Sequence, residues 1–232
     1  LNIRSLFRHI VPPACLLCGA DTGPRPLCAA CFDDLPWHVQ PRCPRCASPT
    51  PDGSVCGACL KRPPAFDRTV AALAYAFPAD RLVPRLKYGG QLAAAPVLGT
   101  CLAETAADAP RPDRVVAMPL HPARLRQRGF NPAAELARIV AEQLGLPLDA
   151  DCCRRVRDTP PQVALKYDAR RRNVRGAFAC SSDVAGLHLA LVDDVMTTGT
   201  SLDELAATFK RAGAREVSCW VAARTLPPGE KR

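Results

Sequence analysis

LVDDVMTTGTSL, residues 191–202, sets an apolar run against two adjacent carboxylates and follows them with a small, hydroxyl-rich loop. The apolar side, LHLALV at 187–192, reads as a buried strand. SLDELAATFKRAGA at 201–214 reads as the helix it feeds, with Ser201 as the cap and Glu204 three residues on completing a capping box. Side chains alternate across a strand, so two adjacent carboxylates inside a continuing buried strand would suffer severe desolvation. This places Asp193 and Asp194 where the strand opens into its loop, able to accept hydrogen bonds from a ribose diol. Thr197, Thr198, Thr200 and Ser201 then offer hydroxyls, Gly199 allows a sharp backbone path, and N–H groups converge at the helix start. Together these make a phosphate cradle. Asx-turn and capping roles, or a different anion, are the competing readings. Neither GxxxxGK[ST] nor GxGxxG occurs here, which removes the direct warrants for ATP hydrolysis and dinucleotide chemistry.

Outward from this stretch, TVAALAYAF (69–77), RVVAMP (114–119) and EVSCWVAA (216–223) read as strands. Residues 79–87, 92–107 and 133–145 read as helices, with Gly89 and Gly90 separating the first two and Gly145 offering a stop. The alternation predicts an α/β fold, a mainly parallel sheet with flanking helices. Ligands gather beyond the strand C-termini in such sheets. The informative loops there are 119–131, 157–175 and 193–201.

Before this domain come CLLC, CAAC, CPRC and CGAC, which hold eight of the thirteen cysteines. A two-residue gap lets both sulfurs of a pair face one ion, and two pairs complete a tetrahedral zinc site. Sequential pairing puts Cys15, Cys18, Cys28 and Cys31 on one zinc and Cys43, Cys46, Cys56 and Cys59 on another. Interleaved pairing is also compatible with the spacing. With every position filled by sulfur, both zincs are structural, and a module this small needs such a staple. His9 and His38 read as surface or packing residues. KRPPAFD at 61–67 marks the boundary, giving a double zinc-ribbon module at 1–62 and a larger domain at 63–232.

Residues 1–11 read as a short packed helix ending at Pro12-Pro13, without a secretory core, and no run of eighteen apolar residues occurs. A cytoplasmic protein with no membrane span is expected. Net charge is +9. Residues 154–176 carry seven Arg and one Lys against two Asp, a patch suited to phosphate, nucleotide or nucleic acid, or simply to solvent.

VDDVMTTGTS closely resembles the phosphoribosyl-diphosphate loop of type I phosphoribosyltransferases. The four CxxC pairs, KRPPAFD, LKYGG, PLHPARLRQRGFN, TPPQVALKYDARRRNVRGAF and LVDDVMTTGTSL occur in the order expected of the ComF/GntX-like family, associated with competence for DNA uptake. The resemblance implies a type I phosphoribosyltransferase-like domain behind the zinc ribbons. In it, Asp193 and Asp194 contact ribose hydroxyls and Thr197, Thr198, Gly199, Thr200 and Ser201 surround the 5′-phosphate. Magnesium bridges diphosphate and ribose oxygens. Arg124 and Arg128 match the recurrent arginines near the diphosphate. Lys87, at an expected helix end, reads separately as an anion contact or as a partner of the helix dipole. Arg170 and Arg171, with Arg172 and Arg175, close over diphosphate or track DNA. The chain departs from the pattern at Pro132, where the family often has Gln, and at Ala169, near which it often has an acid. Pro132 suits a first helical position. Phosphoribosyl transfer to an unidentified nucleophile and a ligand-responsive DNA- or protein-binding adaptor both follow from these residues.

Overall fold

A computed structural model describes residues 14–88, 91–158 and 172–226. In chain order its elements are helices α1 (Ala29–Asp33) and α2 (Gly57–Lys61), strand β1 (Arg68–Ala74), helices α3 (Ala79–Tyr88) and α4 (Ala94–Ala106), strand β2 (Arg114–Ala117), and helices α5 (Pro122–Arg128) and α6 (Pro132–Leu144). Strands β3 (Cys153–Arg155), β4 (Phe178–Cys180) and β5 (His188–Met196), helix α7 (Thr200–Arg211) and strand β6 (Glu216–Arg224) complete it. The expected helix at 1–11, and His9 within it, lie outside the described residues.

Strands β1, β6, β5 and β2 form one parallel sheet in that order. Alternation along β5 divides its two faces. Ala190 and Val192 pack with α4 and α6 through Leu98, Leu102, Leu136 and Val140. Leu189 and Leu191 pack with Leu202, Leu205 and Phe209 of α7. Each face supplies apolar area worth about 25 cal/mol per Å² removed from water, so the sheet is clamped from both sides. A separate antiparallel pair, β3 with β4, lies outside that sheet.

The cysteines gather as sequential sets: the sulfurs of Cys15, Cys18, Cys28 and Cys31 lie within 4.8 Å of one another, as do those of Cys43, Cys46, Cys56 and Cys59. Cys18 and Cys28 are 3.8 Å apart and Cys46 and Cys56 3.6 Å apart. A zinc tetrahedron with Zn–S bonds of ~2.3 Å has edges of ~3.8 Å, so both sets fit structural zinc. The two ribbons are built alike. Cys15 N–H donates to Ala20 O as Cys43 N–H does to Ser48 O, and Gly19 N–H donates to Cys15 O as Ala47 N–H does to Cys43 O.

The ribbons straddle the β1 edge. Cys15, Leu27 and Leu35 of the first join the α4/α6 layer, whereas Cys43, Cys46, Ala47 and Cys59 of the second join the α7 layer. Between them the chain runs along β1: His38 N–H donates to Ala72 O, Ala74 N–H to Pro36 O, and the Arg42 guanidinium to Ala71 O. An open strand edge is thereby covered. His38 is buried, with Nε2 2.7 Å from Ala47 O, so it is a packing residue.

Four details differ from the sequence reading. Strand β5 does not open before the acids but continues through Asp193 and Asp194 to Met196. The capping box does not form: Gly199 is the N-cap of α7, without a side-chain cap bond, and Glu204 instead accepts from Gly176 N–H at 2.9 Å. The 119–131 loop contains α5, which buries no side chain and so leaves no apolar periodicity to read. Its signals were the Pro122 start and the left-handed Gly129 stop. The short β3–β4 pair also went unread. Pro132 does open α6, behind an Asn131 cap.

Two outcomes test this packing. A Cβ on Gly99 of α4 would lie 2.8 Å from Ile139 Cγ2 of α6; Gly99→Ala is expected to cost about 1–3 kcal/mol in urea unfolding. The cost should shrink when Ile139→Ala is also present, and strict additivity would contradict the close approach. Chelator titration should release zinc together with loss of folded signal from the ribbons, since such sites are stable only with metal. Circular dichroism unchanged by complete zinc loss would refute that.

Candidate functional site

Strand β2 pairs with β5 only as far as Ala117 opposite Val192, and Met118 N–H makes the last bond, to Val192 O. β5 outruns its neighbour, and the acid pair sits on this overhang. Asp194 N–H turns to Asp193 Oδ1 at 2.9 Å, and Val195 N–H to Asp194 Oδ1 at 2.7 Å. The local departure also inverts the strand's alternation: Val195 packs with the α4/α6 layer and Met196 with the α7 layer. The carboxylates therefore occupy a strand, at the one point where it has lost a partner.

Lys87, in the last turn of α3, compensates the buried charge, with Nζ 2.9 Å from Asp194 Oδ1. Asp194 is 6% exposed. Burial alone would push the Lys87 ammonium down, but the Asp194 and Asp193 carboxylates outweigh it and hold it above its ordinary pKa. Asp193 keeps some open surface, yet its carboxyl is sunk deeply enough that burial, then the Asp194 charge, push it up to about 7 against the pull of Lys87. Lys87 is thus placed on the acid pair.

After Met196 the chain turns through exposed Thr197 and Thr198, reaches Gly199 at φ 75°, and enters α7 at buried Thr200, with Ser201 next. The positive φ at Gly199 favours glycine, and a Cβ there would also displace the Met196 side-chain end, whose Cε would lie 2.6 Å away. The first N–H groups of a helix lack intrahelical acceptors, and a glycine cap offers them no oxygen. Thr198 and Thr200 hydroxyls lie 2.6 Å apart. Asp203 accepts from Ala65 N–H at 2.7 Å, fixing this helix start to the segment after the second ribbon.

Helix α5 carries Arg124 and Arg128. Arg124 Nε is 3.7 Å from Asp158 Oδ1, and the Arg128 guanidinium lies over the Tyr88 ring at 5.4 Å, beside Lys87 in sequence. His121 caps the helix, its Nδ1 accepting from Ala123 N–H at 3.3 Å; Asp158 is a more distant neighbour at 3.9 Å. Arg155 on β3 belongs to the basic 154–176 tract but was not singled out as a site residue. Burial, then the Arg124 charge, push its guanidinium down, while Asp158 and Asp193 pull it back. Arg155 is thereby linked electrostatically to Arg124, Asp158 and Asp193. Exposed Arg172 and Arg175 stand near β4, whereas Arg170 and Arg171 lie outside the described residues.

A second unanticipated residue is Arg224, the charge ending the buried run of β6 and itself only 8% exposed. It donates through Nε to Cys46 O at 2.9 Å, through Nη2 to Ser48 Oγ at 3.1 Å, and through Nη1 to Met196 O at 3.1 Å and to Thr197 O. An arginine closing the apolar run CWVAA at 219–223 was the available signal. Beside it a cavity of about 180 Å³ separates the second ribbon from the loop, lined by Arg62, Phe66, Thr198 and Asp203 among others. Asp193 and Asp194 are not among its lining residues.

Residues 6–60 match a double zinc ribbon domain and residues 128–230 a phosphoribosyl transferase domain. The chain is 37% identical over 174 residues to DNA utilization protein YhgH of Salmonella typhi, covering 72% of this chain and 77% of that protein. It is 29% identical over 208 residues to Competence protein F of Haemophilus influenzae, covering 86% and 85%. Among solved structures, glutamine phosphoribosylpyrophosphate amidotransferase from B. subtilis aligns at 20% identity and TM-score 0.42, over 60% of this chain and 30% of that one. Purine phosphoribosyltransferase from Pyrococcus horikoshii aligns at 15% identity and TM-score 0.34, over 71% and 95%. The chain belongs to the ComF/GntX-like family, a double zinc ribbon followed by a phosphoribosyltransferase-type domain.

Proposed function

We propose that the protein binds the magnesium complex of phosphoribosyl diphosphate at the end of β5 and transfers the phosphoribosyl group to a nitrogen nucleophile. The observation that carries this reading is the pairing of two carboxylates with a glycine-capped helix start on one strand overhang. Asp193 and Asp194 accept from the ribose hydroxyls. Residues 197–201 hold the 5′-phosphate through backbone N–H groups and hydroxyls. Magnesium accompanying the diphosphate would be held chiefly by substrate oxygens and would offset its charge.

In the transfer, the nucleophile attacks ribose C1 as the C1–O bond to diphosphate breaks, and negative charge grows on the leaving group. Arg124 and Arg155, which share Asp158 as a neighbour, stabilise that charge, with Arg128, Arg170 and Arg171 as further anion contacts in this reading. Lys87 has two tasks: it neutralises Asp194 before binding, and it lies within reach of an incoming anion. Residues 1–62 are a docking module and residues 63–232 the ligand domain. The thirteen free thiols, eight of them gathered for metal, suit a reducing cytoplasm.

A second reading makes the fold a ligand-responsive DNA adaptor. Exposed Arg154, Arg157, Arg172 and Arg175 near the β3–β4 pair favour it, together with the names of the relatives. No helix among the described residues is long and apolar enough to cross a membrane.

Calorimetry should detect binding of magnesium phosphoribosyl diphosphate, lost in Asp193→Ala/Asp194→Ala and in Gly199→Pro; binding unchanged in both would place the ligand elsewhere. A diphosphate-release screen across amines and nucleobases then separates the readings, because turnover supports transfer. Ligand binding that alters DNA affinity over a salt series, without release, supports the adaptor.

The raised Asp193 pKa gives a signed pH dependence. Its neutral form is favoured by folding, so its stabilising contribution is complete below the unfolded carboxylate pKa of about 4 and is lost as pH rises through about 7. Unliganded stability should fall by about 2 kcal/mol between pH 5 and 8, and Asp193→Asn should flatten the slope. Ligand affinity should move the opposite way, strengthening as the carboxylate ionises. A wild-type pH slope identical to that of Asp193→Asn would contradict the assignment.

A further inference from the structure

Arg224 belongs to no part of the ligand chemistry described above, yet it joins two regions that are distant in sequence. Its Nε holds the carbonyl of Cys46, a member of the second cysteine cluster, at 2.9 Å. Its Nη2 holds Ser48 Oγ at 3.1 Å, and Ser48 O accepts from Cys43 N–H, so both sides of that metal knuckle are engaged. The same guanidinium donates through Nη1 to Met196 O and Thr197 O, the two carbonyls at which β5 becomes the loop. Apolar contact reinforces the link. Met196, Cys43, Cys46, Cys59 and Phe66 share one buried cluster, and Phe66 lies 3.8 Å from where a Gly199 Cβ would be.

Among the described residues the first cluster has no equivalent. Cys15 packs in the other apolar layer, on the opposite face of the sheet. Arg42 also ties the ribbon segment to the sheet through a half-buried guanidinium, but its acceptor is Ala71 O, in the middle of β1. Arg42 therefore fastens the edge of the second ribbon to the middle of β1, and Arg224 fastens the same ribbon to the loop.

We infer that Arg224 is a positioning residue through which the second zinc cluster, and not the first, sets the conformation of the 197–201 loop and hence its affinity for a phosphorylated ligand. This rests on the reading of that loop as the 5′-phosphate site. The physical argument is that a buried guanidinium is costly unless its donors are satisfied. With zinc bound, the knuckle at 43–48 is rigid and presents Cys46 O and Ser48 Oγ at fixed positions, leaving Nη1 aimed at the loop carbonyls. Without zinc the knuckle loosens, the guanidinium must find other acceptors, and the loop carbonyls lose a donor. The carbonyls of Met196 and Thr197 belong to the peptide units that aim the following N–H groups, so a small rotation there disperses the cradle.

The test uses the full zinc-loaded chain with Arg224→Met, Arg224→Lys, Cys59→Ser to empty the second cluster, and Arg42→Met as a control. Zinc content, hydrogen exchange of the 197–201 amides without ligand, and calorimetric affinity for magnesium phosphoribosyl diphosphate are measured on each. Arg224→Met and Cys59→Ser are each expected to speed exchange at the loop and weaken binding about 10-fold or more, the size expected for lost bonds to a charged group. Their combination should add little to either alone. Arg224→Lys, which keeps the charge but not the forked geometry, should fall between, and it replaces Arg224→Met should that variant misfold. Arg42→Met should lower the melting temperature without changing loop exchange or affinity. Additive losses, or unchanged loop exchange in Arg224→Met and Cys59→Ser, would overturn the inference. Faster exchange in a protein whose parent does not bind phosphoribosyl diphosphate would retain the positioning role and reject the ligand assignment instead.

Discussion

Two adjacent carboxylates at the end of a buried parallel strand are the constraint around which the rest of the domain is arranged. Neither could stay there in a complete ladder. The sheet meets the constraint by ending β2 early, so that β5 loses its neighbour at Asp193 and the carboxylates can take over orphaned N–H groups. Lys87 supplies the opposite charge from α3. Because the compensation is incomplete, Asp193 retains a proton into the neutral range. A strand end that is poorly satisfied alone is well suited to a partner bearing hydroxyls and a phosphate.

The zinc ribbons take part in this arrangement as more than an appended module. Their connecting segment covers the β1 edge, and the two halves cover opposite faces of the sheet. A small module with little apolar core of its own gains a second source of stability from that docking, in addition to its metal. Through Arg224 the second half also reaches the Met196 and Thr197 carbonyls that follow the acids, and the segment after it is tied to Asp203 of α7. Stability of the metal module and order at the loop are consequently linked by contact, whatever ligand the loop receives.

Much of this was legible because the signals are local. CxxC spacing demands a shared ion, and aliphatic runs with period two or near four become strands and helices. Gly145 stops α6 and Pro132 starts it, as local backbone preferences dictate. Elements without apolar periodicity, α5 and the β3–β4 pair, escaped because their formation depends on neighbours. The capping box failed for a related reason. Its sequence was present at Ser201 and Glu204, but the preceding glycine already held the cap position and Gly176 claimed the glutamate.

The sequence by itself determined the α/β class, the eight metal-facing cysteines and the acid-plus-glycine stretch, since each depends on residues a few positions apart. Tertiary structure decided which cysteine pairs share a cluster, that β5 outlasts β2, that Lys87 meets Asp194, and that Arg155 and Arg224 converge on the strand ends. Those outcomes depend on where separate segments stop and on which buried charges must find partners, and no single window of the chain contains both sides of such a contact.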